Sequence, residues 1–333
     1  MKEFEREAEQ EVWERRLNIL ETCLGPSIMH YMHEDAVTEV MVNPDGRLWL
    51  DTFDKGFMRT DIVMHPEDTK RIIYTIADLS GQVIDLKKDP SLQANIPASR
   101  LFSNCRFQAE LPPIVAAPSF NIRKHTRVVI TLADYVRQGV MTEKQYNIIL
   151  TAIHGKKNII AAGGTGSGKT TLLNAILAEI SKLEERIVTI EDTKELKCTA
   201  ENYIALSTTD TVDMDNLLRK TLRLSPNRIV VGEVRGKEAL TLIDAWSTGH
   251  RGGCSTVHSD SAGDTLFRLE DLVSRVSMST QQAGIARAID VIVYIKRMAA
   301  SRRITEILAI DSWDRKAQNY VTCRLDEEED AQK

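Results

Sequence analysis

Eight consecutive residues, Gly163-Gly164-Thr165-Gly166-Ser167-Gly168-Lys169-Thr170, fit the spacing G-x-x-x-x-G-K-[ST]. Glycines at these places let backbone N–H groups converge on phosphate oxygens, and a helix N-terminus behind them adds positive potential. Lys169 would neutralise β- and γ-phosphate charge, Thr170 would ligate Mg²⁺, and Thr171 would extend the binding run into the helix. The chemistry this spacing implies is the capture of ATP with Mg²⁺.

Breaking a bound triphosphate needs a metal-side carboxylate and a group that orients or deprotonates water. Two strand-like runs end in acids: Arg228-Ile229-Val230-Val231-Gly232-Glu233, and Ile187-Val188-Thr189-Ile190-Glu191-Asp192. Glu233 would face Mg²⁺ through its water shell, and Glu191 and Asp192 arrive together from the other strand. An acid after a strand is also a common cap or turn residue. His258, at the end of Cys254–Val257, would donate to a γ-phosphate or serve as a plain structural histidine. Arg235 binds nucleotide or pairs with a neighbouring acid, and the spacing does not choose.

The elements that must position these groups follow from hydrophobic periodicity. Asn158–Ala162 reads as a strand ahead of the glycine loop, and Leu172, Leu173, Ile176, Leu177 and Ile180 give the helix behind it. Short apolar runs at 159–162, 186–190, 228–231, 254–257 and 291–295 alternate with amphipathic helices, which is the pattern of a parallel sheet covered on both faces. A capping box, Thr142-Glu143-Lys144-Gln145, opens a helix through Ile153 that bridges into this region. Upstream, Phe4, Ala8, Trp13, Leu17, Leu20 and Leu24 predict a helix ending at Gly25-Pro26. Val37–Val42 and Arg47–Asp51 form a hairpin about Asn43-Pro44-Asp45-Gly46. Pro66 opens a helix closed by Gly81, and Ala109–Ile130, with Pro112, Pro113 and Pro118, reads as edge strands and turns. The expected boundaries are an α+β domain over 1–128, a linker and bridging helix over 129–155, an α/β domain over 156–325 and a solvated acidic tail over 326–333.

The chain has 333 residues, enough for about two domains. Apolar residues are 42% and charged residues 27% of the total, which excludes disorder and fibrous repeats. A net charge of -5 argues against a broad nucleic-acid footprint. No apolar run approaches the ~20 residues of a membrane-spanning helix, and the charged amino terminus does not resemble a secretory signal. Cys23, Cys105, Cys198, Cys254 and Cys323 are scattered without a Cys-x-x-Cys pair, so buried free thiols in a cytoplasmic protein are expected.

The stretches GGTGSGKT, VTIEDTKE, RIVVGEVRG and STGHRGGCSTVH, in this order, resemble the Walker A, Asp, Walker B and His boxes of the secretion or traffic ATPases. VTEVMVNPDGRLWLD, RFQAELPP and FNIRK resemble the shorter members serving type IV secretion and conjugative transfer, particularly the TrbB-type conjugal transfer ATPases. The resemblance covers residues 30–310. It implies a RecA-like P-loop ATPase domain, a smaller PAS-like N-terminal α+β domain, and homohexameric rings with nucleotide between the domains. It also implies that Arg106 and Arg123 approach the phosphates, that Glu191 activates water and that Glu233 stands on the metal side, with the last two roles exchangeable. Peripheral attachment at the inner membrane, through protein components of a secretion or conjugation apparatus, is implied as well. No four-cysteine zinc module follows the Walker B region, which disfavours the pilus-assembly and type II secretion relatives. Two rivals stand beside this reading: a single-stranded nucleic-acid translocase using Arg123, Lys124 and Arg127, and a nucleotide-switched assembly scaffold.

Overall fold

The computed structural model describes residues 2–52, 55–96, 98–99, 103–124, 129–209, 211–277, 279, 281–298 and 301–327, with the backbone alone for 2–9. The chain divides into two units, Met1–Val128 and Val129–Lys333.

The first unit is a six-stranded antiparallel sheet carrying two helices. Its elements are α1 (Lys2–His33), β1 (Val37–Val42), β2 (Arg47–Thr52), β3 (Gly56–Val63), α2 (Pro66–Leu79), β4 (Ser91–Ile96), β5 (Cys105–Glu110) and β6 (Ser119–Lys124), in sheet order β3-β2-β1-β6-β5-β4. Leu17, Leu20 and Ile28 of α1 and Ile72, Ile73 and Ile76 of α2 pack on Val40, Phe107 and Ile122 of the sheet. Alternation along β5 buries Cys105, Phe107 and Ala109, and along β6 it buries Phe120 and Ile122. Arg106 and Arg123 therefore project from the opposite face, directly across from each other in the register.

Two expectations are corrected here. The first helix does not end at Gly25-Pro26: Gly25 takes φ +69° and ψ 170°, and a second helical segment continues to His33. Pro26 opens that segment, where its missing N–H costs nothing, and Ile28, Met29 and Met32 are buried. Among its described residues, the region 109–130 does not supply edge strands. Its three prolines fall between β5 and β6, so β6 keeps all its N–H groups and pairs with β1 on one side and β5 on the other.

The second unit comprises α3 (Leu132–Arg137), α4 (Glu143–His154), β7 (Ile159–Gly163), α5 (Lys169–Ile180), β8 (Ile187–Glu191), β9 (Tyr203–Ser207), α6 (Met214–Thr221), β10 (Arg228–Val231), α7 (Glu238–Ser247), β11 (Cys254–His258), α8 (Ala262–Ser274), α9 (Gln282–Ala288), β12 (Val291–Arg297), β13 (Arg302–Asp314) and β14 (Asn319–Arg324). The sheet order is β14-β13-β12-β7-β11-β10-β8-β9, parallel from β12 to β9, with β13 and β14 added antiparallel. Successive strand residues feed opposite cores: Ile160 and Ala162 face α6 to α9, while Ile159 and Ala161 face α3, α4 and α5. This is a RecA-like P-loop arrangement.

The acidic end is not solvated where it begins. The Asp326 carboxylate accepts from Gln145 Nε2 at 2.9 Å and from Ile307 N at 3.0 Å, which fastens it to α4 and β13. Residues 328–333 lie outside the described residues.

Candidate functional site

Parallel strands present their carboxyl ends on one edge, and ligand-binding loops of such sheets collect there. β7 reaches this edge at Gly163, in register with His258 at the end of β11. A Cβ on Gly163 would lie 2.2 Å from Ile295 O and 2.6 Å from Ser167 Oγ, so only glycine fits between β7, β12 and the loop. Gly166 and Gly168 take φ +68° and +97°, which turn the chain into α5. Gly168 caps α5 without a side-chain hydrogen bond, leaving the first-turn amides to the loop's concave side. The hydroxyl of Ser167 is buried there with no hydrogen-bond partner.

Lys169 is buried and folds over the loop, its Nζ donating to Gly163 O at 2.9 Å and Gly164 O at 2.8 Å. Thr170 and Thr171 occupy the first turn, half-buried. His258 Nε2 and Thr165 Oγ1 share a hydrogen bond of 2.8 Å, so the histidine reaches the phosphate loop itself.

The two acid-bearing strand ends converge. Gly232 follows β10 so closely against β8 that a Cβ on it would lie 3.2 Å from Glu191 Cβ. Arg235 Nη2 donates to Glu233 Oε2 at 2.5 Å, the pairing with a neighbouring acid that the sequence allowed for it. That bond is the largest cause of its raised pKa, and Asp192 and Glu195 add to it from the β8 side. Val234 N donates to Thr256 O at 2.9 Å and Thr256 Oγ1 to Gly232 O at 2.8 Å, tying the Glu233 turn to β11.

Glu191 is buried at the end of β8 and accepts from the backbone N–H groups of Glu195 and Leu196. Burial pushes its carboxyl up to about 7, against the opposing pull of those two donors. A carboxyl that titrates near neutrality can hold or release a proton at working pH. Asp192, beside it, is exposed.

Arg106 and Arg123 belong to the first unit. Arg123 Nε stands 3.6 Å from Glu39 Oε1, and Arg106 is half-buried across from it. Lys124 Nζ donates to Tyr31 O and Glu34 O at the end of α1. Arg127 lies outside the described residues.

Two arginines that sequence reading missed flank the phosphate loop. A Cβ on Gly166 would lie 3.0 Å from Arg297 Nη1, and one on Gly168 would lie 3.2 Å from Arg302 Cδ. The signal was visible as Lys296-Arg297 and Arg302-Arg303 around the tip of one hairpin, but only strand pairing brings that tip to the loop.

The cradle fits a polyphosphate: close glycines, orphaned first-turn amides, a buried unpaired hydroxyl and a lysine at the loop. The Thr170 hydroxyl and Glu233 carboxylate are hard oxygen donors of the kind that suit Mg²⁺.

Residues 25–328 match the family model described as Type II/IV secretion system protein. The chain is 42% identical to the conjugal transfer protein TrbB of Rhizobium radiobacter, over 90% of this chain and 91% of that protein. It is 31% identical to the type IV secretion system protein PtlH of Bordetella pertussis, over 83% of this chain and 91% of that protein. The Legionella pneumophila ATPase DotB shares the fold, with a TM-score of 0.64 at 16% identity, covering 88% of this chain and 81% of that one. The chain belongs to the Type II/IV secretion system protein family, on the branch of type IV secretion and conjugal transfer proteins, and is an ATPase of the RecA-like P-loop kind.

Proposed function

We propose that this ATPase hydrolyses ATP with Mg²⁺ at Gly163–Thr171 and works as a homohexameric motor of a conjugation or type IV secretion apparatus. The observation that carries the proposal is the convergence on one sheet edge of the phosphate loop, the His258–Thr165 contact, and the acids Glu191 and Glu233. The loop amides and Lys169 bind the triphosphate. His258 holds the loop at Thr165 and presents its ring toward the γ-phosphate end. Glu191, buried and titrating near neutrality, orients water and takes its proton. Thr170, and Glu233 through water, would hold Mg²⁺, which when bound neutralises developing phosphate charge. Arg235 holds Glu233 in place.

On the family resemblance, Arg106 and Arg123 are assigned to the phosphates as well, where one arginine contributes about 10³ to 10⁵ in rate. Residues 1–128 would then act as the moving part and 156–325 as the catalytic part. Among the described residues no helix is long and apolar enough to cross a membrane. On the family resemblance, the work on the apparatus is assigned to docking on inner-membrane protein components from the cytoplasmic side. Phosphate release by wild type and Lys169→Ala tests the core of this: the variant should lose turnover and ATP binding together. A variant with wild-type turnover would reject it.

A further inference from the structure

The β12–β13 hairpin brings four cations to its tip, Lys296 opposite Arg303 and Arg297 opposite Arg302. Opposed residues project from one face of an antiparallel pair, and residues two apart along a strand share that face. Arg297 and Arg302 therefore lie on the face of Ile295 and Ile304, both buried in the core that contains α5. That face meets the phosphate loop. Arg302 Nε donates to Gly166 O at 3.3 Å, its Cδ lies against Gly168, and Arg297 Nη1 lies against Gly166. The tip is held from behind as well: Ile304 N donates to Val140 O at 2.8 Å.

The pair also faces the positive end of α5, so a polyphosphate over the loop would meet both guanidinium groups and the helix N-terminus together. β12 flanks β7 on the side away from β11, whereas His258, Glu233 and Glu191 all arrive from the β11 side. The arginines thus face the part of a nucleotide remote from the reacting phosphorus.

We infer that Arg297 and Arg302 form a cationic wall of the nucleotide site that holds the diphosphate common to substrate and product, Arg297 directly and Arg302 while bracing Gly166. This rests on reading Gly163–Thr170 as the phosphate cradle. Binding shared by ATP and ADP raises affinity without lowering the barrier from the bound state, so its loss falls on KM and spares kcat.

The test uses the full chain and calorimetric titration with Mg-ATP and with Mg-ADP. Arg297→Gln should weaken both by the same factor, about 10-fold for one charge-assisted hydrogen bond, with kcat retained. Arg302→Lys keeps the charge and should bind better than Arg302→Gln. Arg303→Gln, on the hairpin's other face, should match wild type. Wild-type ADP affinity in Arg297→Gln, or a loss confined to ATP, overturns the inference; if that variant folds poorly, Arg297→Lys is scored by the same ATP-to-ADP comparison. Normal binding by Lys169→Ala sinks the cradle itself, whereas lost binding there beside unchanged binding in Arg297→Gln sinks only the wall.

Discussion

Glu191→Gln is the substitution whose consequences separate most cleanly. In the folded chain burial holds the Glu191 carboxyl at about 7, against an ordinary value of 4.5. The gap of about 2.5 pH units corresponds to about 3.4 kcal/mol. Because the folded pKa is raised, the folded state binds the proton more tightly than the unfolded chain. The contribution is therefore fully present below pH 4.5 and falls as pH rises through 7. Glutamine does not titrate and still offers an oxygen to the N–H groups of Glu195 and Leu196. Urea unfolding of both proteins between pH 4 and pH 8.5 should show wild type losing about 3 kcal/mol relative to the variant as pH rises. Turnover should report the same group from the other side: wild-type kcat climbs through pH 7 as the acid ionises. The variant should bind ATP and lose about 10²-fold or more in kcat. Stability curves that stay parallel across the range, or a variant that turns over normally, would rule out this role for Glu191.

Gly163→Ala places a methyl 2.2 Å from Ile295 O, so the variant should lose about 2 kcal/mol or more by thermal melting and should bind ATP poorly in titration. His258→Ala removes the contact to Thr165 at an exposed position; melting should stay near wild type while phosphate release falls about 10-fold. Arg228→Met strips a fully buried guanidinium from Glu185, Gly252 O and Ile153 O, and denaturant unfolding should show a loss of about 3 kcal/mol. Asp326→Ala leaves Ile307 N without its acceptor and should cost about 1–2 kcal/mol by the same measurement, against almost nothing if the segment were solvated.

What could be read in advance was local. The phosphate loop is a contiguous string with its strand before it and its helix behind, and β7, β8, β10, β11 and β12 are buried on both faces over most of their length, so their mostly apolar runs stand out. The outer strands β3, β9, β13 and β14 expose one face or an edge and mix polar with apolar residues, so no comparable run marks them. The first helix misleads because Gly25-Pro26 reads as a stop, while the apolar spacing of Ile28, Met29 and Met32 supports a restart. The candidate site residues divide the same way. Lys169, His258, Glu191 and Glu233 follow from motif and strand ends. The pairing of Arg235 with Glu233, the backbone donors on Glu191 and the approach of Arg297 and Arg302 depend on tertiary register that spacing along the chain does not encode.

Everything proposed for this chain requires that the turn between β7 and α5 hold a triphosphate. A structure of the full chain with Mg²⁺ and a non-hydrolysable ATP analogue measures this directly. The β-phosphate should lie within about 3 Å of the Lys169 ammonium and of the amides from Gly166 to Thr170. Phosphates bound elsewhere, with Lys169 still donating to Gly163 O and Gly164 O, would contradict it.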